Sequence, residues 1–260
     1  MSEDRPRRSG SNTTADRALQ ILGLFADDRL TITVADLQRE LGMGRSSAYR
    51  YLQSLVREQF LESASDGSLR LGMRVLDLAR LARQSYGVSD LALPLMKDLA
   101  DDHRQTVLLT ALIGGSVVCL ERQEWYGQFV RLSYEPGVEM PVNAGASALA
   151  LLAWRSEDEL RSLLARPLQR LTPATLIDVD DLLGRLARIR ELGYAVSEGE
   201  VDRDVLGIGV PIFDAGGEAV AALSIVALAS RLDEAQRRRA LDDLRGAAER
   251  VTARLRRAGV

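Results

Sequence analysis

The 260-residue sequence predicts an α+β protein in two parts: a small N-terminal winged helix-turn-helix and, joined to it by a linker helix, a larger mixed domain. Three observations carry this expectation. Two short runs of helical apolar spacing meet at Gly42-Met43-Gly44. An Asp66-Gly67 hairpin signal comes soon after them. Beyond residue 88, strand-like runs alternate with amphipathic helices. The expected parts are a flexible tail at 1–13, a helix-turn-helix unit at 14–73, a linker helix at 74–87 and the large domain at 88–260.

From Thr14, Ala18, Ile21, Leu22 and Phe25 fall on one stripe, which predicts the first helix. Thr33 with Asp36 three positions on is an N-cap and capping-box pattern, and Leu37 and Leu41 then share a face, so a second helix is expected to end before Gly42. Ser46 or Ser47 is expected to cap a third helix with Ala48, Leu52, Leu55 and Val56 turned inward. That leaves Arg45, Ser46, Ser47, Tyr49, Arg50 and Gln53 facing solvent, side chains able to bond phosphates and base edges. Runs at 60–62 and 69–71 around Ser65-Asp66-Gly67-Ser68 predict the wing. Met73 to Tyr86 returns to helical spacing as a linker whose apolar stripe is available to a partner chain.

In the larger part, 91–103 is expected to be a helix with Pro94 tolerated near its start. Strands are expected at 106–113, 117–122, 129–133, 194–196, 207–213 and 219–227, and helices at 144–154, 157–165, 179–192 and 233–257. Ser156 and Glu159 supply a second capping-box pattern.

Composition narrows the chemistry. Hydrophobic residues at 46% and charged residues at 27% are the usage of soluble globular proteins. With neither a bilayer-length apolar run nor a secretory start in the sequence, a cytoplasmic protein without membrane contact is expected. One cysteine and one histidine rule out an intrachain disulfide and leave no zinc-ligand cluster, and no cofactor is implied. A nucleophile–histidine pair would have to use His103, which sits in a charged helical stretch and reads as a solvated surface residue, while Cys119 reads as a core residue. An enzyme is therefore not expected. Residues 1–83 carry 13 Arg against 11 acidic residues, and the remainder is net acidic, so the N-terminal part is the less acidic one in a chain of net charge −3. Arg5, Arg7 and Arg8 in the tail read as a solvated terminus with a minor-groove role as the alternative.

Nearly the whole chain resembles the IclR family of bacterial transcription regulators. The residues that carry the resemblance are Ala15 to Leu22, the turn and helix Leu41 to Leu52, the wing end Leu69 to Gly72, Leu192 to Val196, Gly209 to Asp214 and Ala221 to Ile225. The resemblance implies a winged helix that binds a palindromic operator in double-stranded DNA as a homodimer or a pair of dimers. It also implies a GAF-like effector domain that binds a small organic acid or aromatic, with a pocket lining that maps to Ala148, Ser197, Gly207, Ser224 and Val226. The chain departs from the family pattern where a Gly-Lys pair is usual, having Ala148-Leu149; Ser197 stands at a commonly acidic position, and Gly207 at one that is often cysteine. Those small side chains predict a roomy, apolar pocket suited to an aromatic acid.

The expected operator contacts are Arg17, Thr33, Arg45, Ser46, Ser47, Tyr49, Arg50, Gln53 and Arg70. For the effector, Asn143, Ala144, Gly145 and Ala146 precede or open a helix whose first N–H groups are able to hold a carboxylate, the alternative being an ordinary helix start packed on the sheet. Ala148, Ser197, Glu200, Gly207, Ser224 and Val226 complete the expected pocket.

Overall fold

The computed structural model describes residues 13–26, 28–85, 87–127 and 134–258. The tail arginines and the strand expected at 129–133 lie outside them. The chain forms two compact units that divide between Ala82 and Arg83.

The first unit begins with α1 (Thr13–Leu22), α2 (Val34–Leu41) and α3 (Arg45–Arg57). Ile21, Ile32, Leu37, Met43, Ala48, Leu52, Leu55 and Leu61 make its buried core. At the entry to α2 the Thr33 hydroxyl accepts from the Asp36 amide while the Asp36 carboxylate accepts from the Thr33 amide, and Gly42 ends the helix in the left-handed region at φ 62°. The start of α3 differs from expectation: Gly44 is the N-cap, with no side-chain bond, and Ser46 and Ser47 lie two and three residues past it, inside the helix. The wing is β1 (Leu61–Ser63) paired with β2 (Leu69–Leu71). Ile32 and Leu69 exchange backbone bonds of 2.8 Å each, which ties the hairpin to the residue just before the cap of α2. α4 (Met73–Ser85) follows.

Among the described residues the second unit holds a six-stranded antiparallel sheet in the order β5-β4-β3-β8-β7-β6. Its strands are β3 (Thr106–Ile113), β4 (Ser116–Gln123), β5 (Glu139–Met140), β6 (Ala195–Glu198), β7 (Val205–Phe213) and β8 (Ala219–Leu228). Alternation divides the strand residues between two faces. Val107, Leu109, Ile208, Val210, Leu223 and Ile225 pack on α5 (Val88–His103) and α9 (Glu234–Ala258). Leu108, Cys119, Ala222 and Val226 pack on α6 (Ala146–Leu152), with α7 (Glu157–Leu163) and α8 (Val179–Leu192) outside it.

Four expectations are corrected. The helix α5 begins at Val88, a turn before the expected start, so Pro94 is interior and the bond to the Asp90 carbonyl is forgone. The helix α6 is shorter than 144–154 because Asn143 to Gly145 form a turn. The short edge strand β5 was not expected at all. His103 is not solvated: its side chain is 4% exposed, and Nε2 lies 3.0 Å from the Asp243 carboxylate, joining α5 to α9. Among the described residues no helix is long and apolar enough to cross a membrane.

Candidate DNA-binding surface and ligand cavity

The inward turn of Ala48, Leu52 and Leu55 fixes the orientation of α3 and leaves Arg45, Ser46, Tyr49, Arg50 and Gln53 exposed, with Ser47 half-buried. The Arg45 guanidinium carbon lies 5.8 Å from the Tyr49 ring centre, which braces both side chains on the outer face. Because Gly44 provides no capping side chain, the first amides of α3 are open to a phosphate oxygen. A groove of about 490 Å³ separates α3 from the wing; Thr33, Tyr49, Gln53, Ser63 and Leu69 line it.

Three expected contact residues are engaged within the unit. Arg17 donates from Nη1 to the Leu41 carbonyl at 2.9 Å, satisfying the last turn of α2. Thr33 is held in the capping box, and Arg70 is paired with Glu62 across the wing at 2.5 Å. Each fixes the shape of the turn or hairpin that flanks α3.

In the second unit a small cavity lies between α6 and the sheet. Gly145, Ala146, Ser197, Gly207 and Val226 line it as expected. The other five expected residues do not. Asn143 spends both amide hydrogens on the carbonyls of Gln169 (3.1 Å) and Leu176 (2.7 Å), holding the loop before α8. Ala144 and Ala148 are fully buried, Ala148 in the core behind α6. Glu200 is bonded to Arg185 at 2.5 Å, and its carbonyl accepts from the Thr175 hydroxyl at 2.6 Å. Ser224 reaches the wall only through Ser147, Oγ to Oγ 2.6 Å.

The remaining wall residues are Ser147, which belongs to the expected helix start, and Leu108, Tyr134, Met140, Val201 and Val205, which sequence reasoning missed. Leu108 was discoverable, since strand alternation places it on the α6 face; Tyr134 stands in a connection and Met140 in the two-residue strand β5, neither with a periodic signal. Burial, with a smaller contribution from the negative charge of Asp202, pushes the Tyr134 phenol up to about 12, so it is uncharged at neutral pH. Among the described residues no wall side chain carries a charge there.

The cavity is not roomy. Its volume is about 20 Å³, little more than one water molecule. Glycine at 207 and 209 does not leave space; it lets α6 sit directly on β7. A side-chain carbon at Gly207 would lie 3.1 Å from Ala146 Cβ, and one at Gly209 2.7 Å from the Ala146 carbonyl oxygen.

A winged helix-turn-helix unit followed by a separate α+β unit is the architecture of a transcription regulator that carries its own sensory part. Residues 14–65 match the IclR helix-turn-helix domain, and residues 81–253 match the model described as bacterial transcriptional regulator IclR C-terminal. The chain belongs to the IclR family of transcription regulators, and its relatives are regulators rather than enzymes. It is 31% identical to the regulator XynR of Escherichia coli over 86% of this chain and 89% of that one. It is 30% identical to the repressor AllR of the same species, over 84% and 81%. Among solved structures it is similar to an IclR homologue from Microbacterium hydrocarbonoxydans complexed with 4-hydroxybenzoate, with TM-score 0.83, 30% identity, and 94% and 99% of the two chains covered. An IclR regulator from Alicyclobacillus acidocaldarius gives TM-score 0.82 at 25% identity over 94% and 99%.

Proposed function

We propose that this regulator acts in the cytoplasm, binds a palindromic operator as a dimer or a pair of dimers with α3 in the major groove, and changes that binding when a small aromatic acid occupies the α6–β7 cavity. The working parts are the helix-turn-helix at 14–73 preceded by a tail, the linker at 74–87, and the effector and oligomerisation domain at 88–260. The observation that carries the DNA reading is the outward face of α3, with Arg45, Tyr49, Arg50 and Gln53 exposed beside a hairpin. Self-association is supported by α4, where Met73, Leu76, Leu78 and Leu81 are all exposed. For the ligand, a buried wall of apolar groups with the hydroxyls of Tyr134, Ser147 and Ser197 suits a ring bearing a few polar atoms, and a relative has been solved with 4-hydroxybenzoate.

Gel-shift titration on the DNA upstream of the protein's own gene tests the first part. Binding there should resist random competitor DNA and weaken as salt rises; equal competition by random duplex would remove the specific-regulator reading. For the second part, 4-hydroxybenzoate should raise the melting temperature and alter the gel shift, since a ligand bound only by the native state stabilises it.

A further inference from the structure

The wall of the cavity is unevenly braced. Leu108, Val205, Gly207 and Val226 lie in adjacent strands of the six-stranded sheet, and Ala146 and Ser147 open a helix seated on β7. Tyr134 and Val201 stand in connections, and Met140 belongs to the two-residue strand β5, which among the described residues is paired with β4 through Val117. Among the described residues Met140 is the one that lines both this cavity and a second, outer cleft of about 380 Å³ bordered by Gly115, Pro141, Asn143, Leu163, Arg166 and Gln169. The two spaces therefore adjoin at Met140, an unbranched thioether residue.

Volume decides what this implies. An apolar cavity known to accept benzene measures roughly 150 Å³, and the cavity beside α6 holds about 20 Å³. No ring enters unless the wall yields, and the strands and α6 cannot yield without unpairing the sheet or lifting the helix. Methionine, with three rotatable bonds beyond the backbone, changes shape at little cost.

Resting on the aromatic-acid reading above, we infer that the outer cleft is the entrance to the cavity and that Met140 is its gate, so that Met140 sets the largest ring the regulator senses. The bound acid then displaces the Met140 side chain and occupies the inner space together with the volume that side chain vacates. A flat one-ring acid fits this arrangement, and a fused two-ring acid does not while Met140 is present.

Calorimetry on the full-length protein with benzoate, 4-hydroxybenzoate and 2-naphthoate tests it. M140A should bind 2-naphthoate at least tenfold more tightly than the wild type does and benzoate at least threefold more tightly, and M140F should weaken all three acids tenfold or more. Thermal melts establish that the variants are folded, and M140L, which keeps the volume, should stay within threefold of wild type. S197L, which fills the inner cavity away from the gate, separates the two layers of argument. Acid binding lost in S197L but unchanged within twofold in folded M140A and M140F would overturn the gate while leaving the cavity as the effector site. Binding unaffected by S197L, or absent from both wild type and M140A, would overturn the aromatic-acid site itself.

Discussion

A single carbon added at Gly209 would meet the Ala146 carbonyl oxygen at 2.7 Å, backbone against backbone, with neither able to rotate away. Gly209→Ala should therefore push α6 off the sheet and destabilise the second unit by about 1–3 kcal/mol in urea unfolding. Gly207→Ala, which meets the Ala146 methyl at 3.1 Å, should lose less. The same geometry explains why the pocket was only half legible in the sequence: small residues at 148, 197 and 207 read as empty space, but α6 approaches and takes that space up. Tyr134 had no periodic signal, and its burial has a consequence at high pH. A phenol held near 12 in the folded chain ionises earlier once unfolded, so the native state is favoured fully below pH 10 and loses that advantage as pH rises from 10 through about 12. Tyr134→Phe should flatten this part of the alkaline stability curve. On α3, Arg50 is exposed toward the expected groove; Arg50→Ala should reduce specific operator affinity by roughly 1–3 kcal/mol while random-duplex binding falls less. Equal losses on both DNAs would make Arg50 a phosphate contact.

Helix ends were legible where a side chain does the capping. Thr33 with Asp36, and Ser156 with Glu159, form reciprocal boxes at the expected positions. The start of α3 was misplaced because its cap is a glycine, which leaves no donor–acceptor signature, and two serines downstream compete for the role. The strand β5, two residues long, is below the length at which alternation can be recognised. At α2 the bonds from the Thr33 hydroxyl, the Thr33 amide and Arg39 hold the Asp36 carboxyl below its ordinary 3.8. A carboxylate depressed by native contacts stabilises the fold above its unfolded value and ceases to do so as pH falls through the folded one. The first unit should accordingly weaken below pH 3.8. Thr33→Ala, which removes the hydroxyl half of the box, should cost about 1 kcal/mol at neutral pH and make the acid transition shallower, as followed by helical circular dichroism. Unchanged acid sensitivity in that variant would show that the Arg39 and backbone contacts alone hold Asp36.

At the scale of the whole molecule, the two units divide near residue 82, inside the stretch 74–87 expected as a linker helix, and the apolar stripe of that linker was readable from periodicity alone. What the sequence could not tell was whether that stripe is covered within the first unit. Met73, Leu76, Leu78 and Leu81 are exposed, Leu76 at 67%, which is unusual for four large apolar residues within nine positions. If a second copy covers them, each leucine removed from water contributes at about 25 cal/mol per Å², and a buried carboxylate in its place would have no partner. The double variant Leu76→Asp, Leu81→Asp should then sediment as a monomer at concentrations where the wild type is dimeric, with the melting of the first unit little changed, since neither position is part of that unit's buried core. Operator binding should fall more steeply than binding to a single half-site, because a palindrome gains its affinity from two recognition helices held at fixed spacing. A variant that remains dimeric and binds the full operator as the wild type does would assign the stripe some other role and require a different surface to join the protomers.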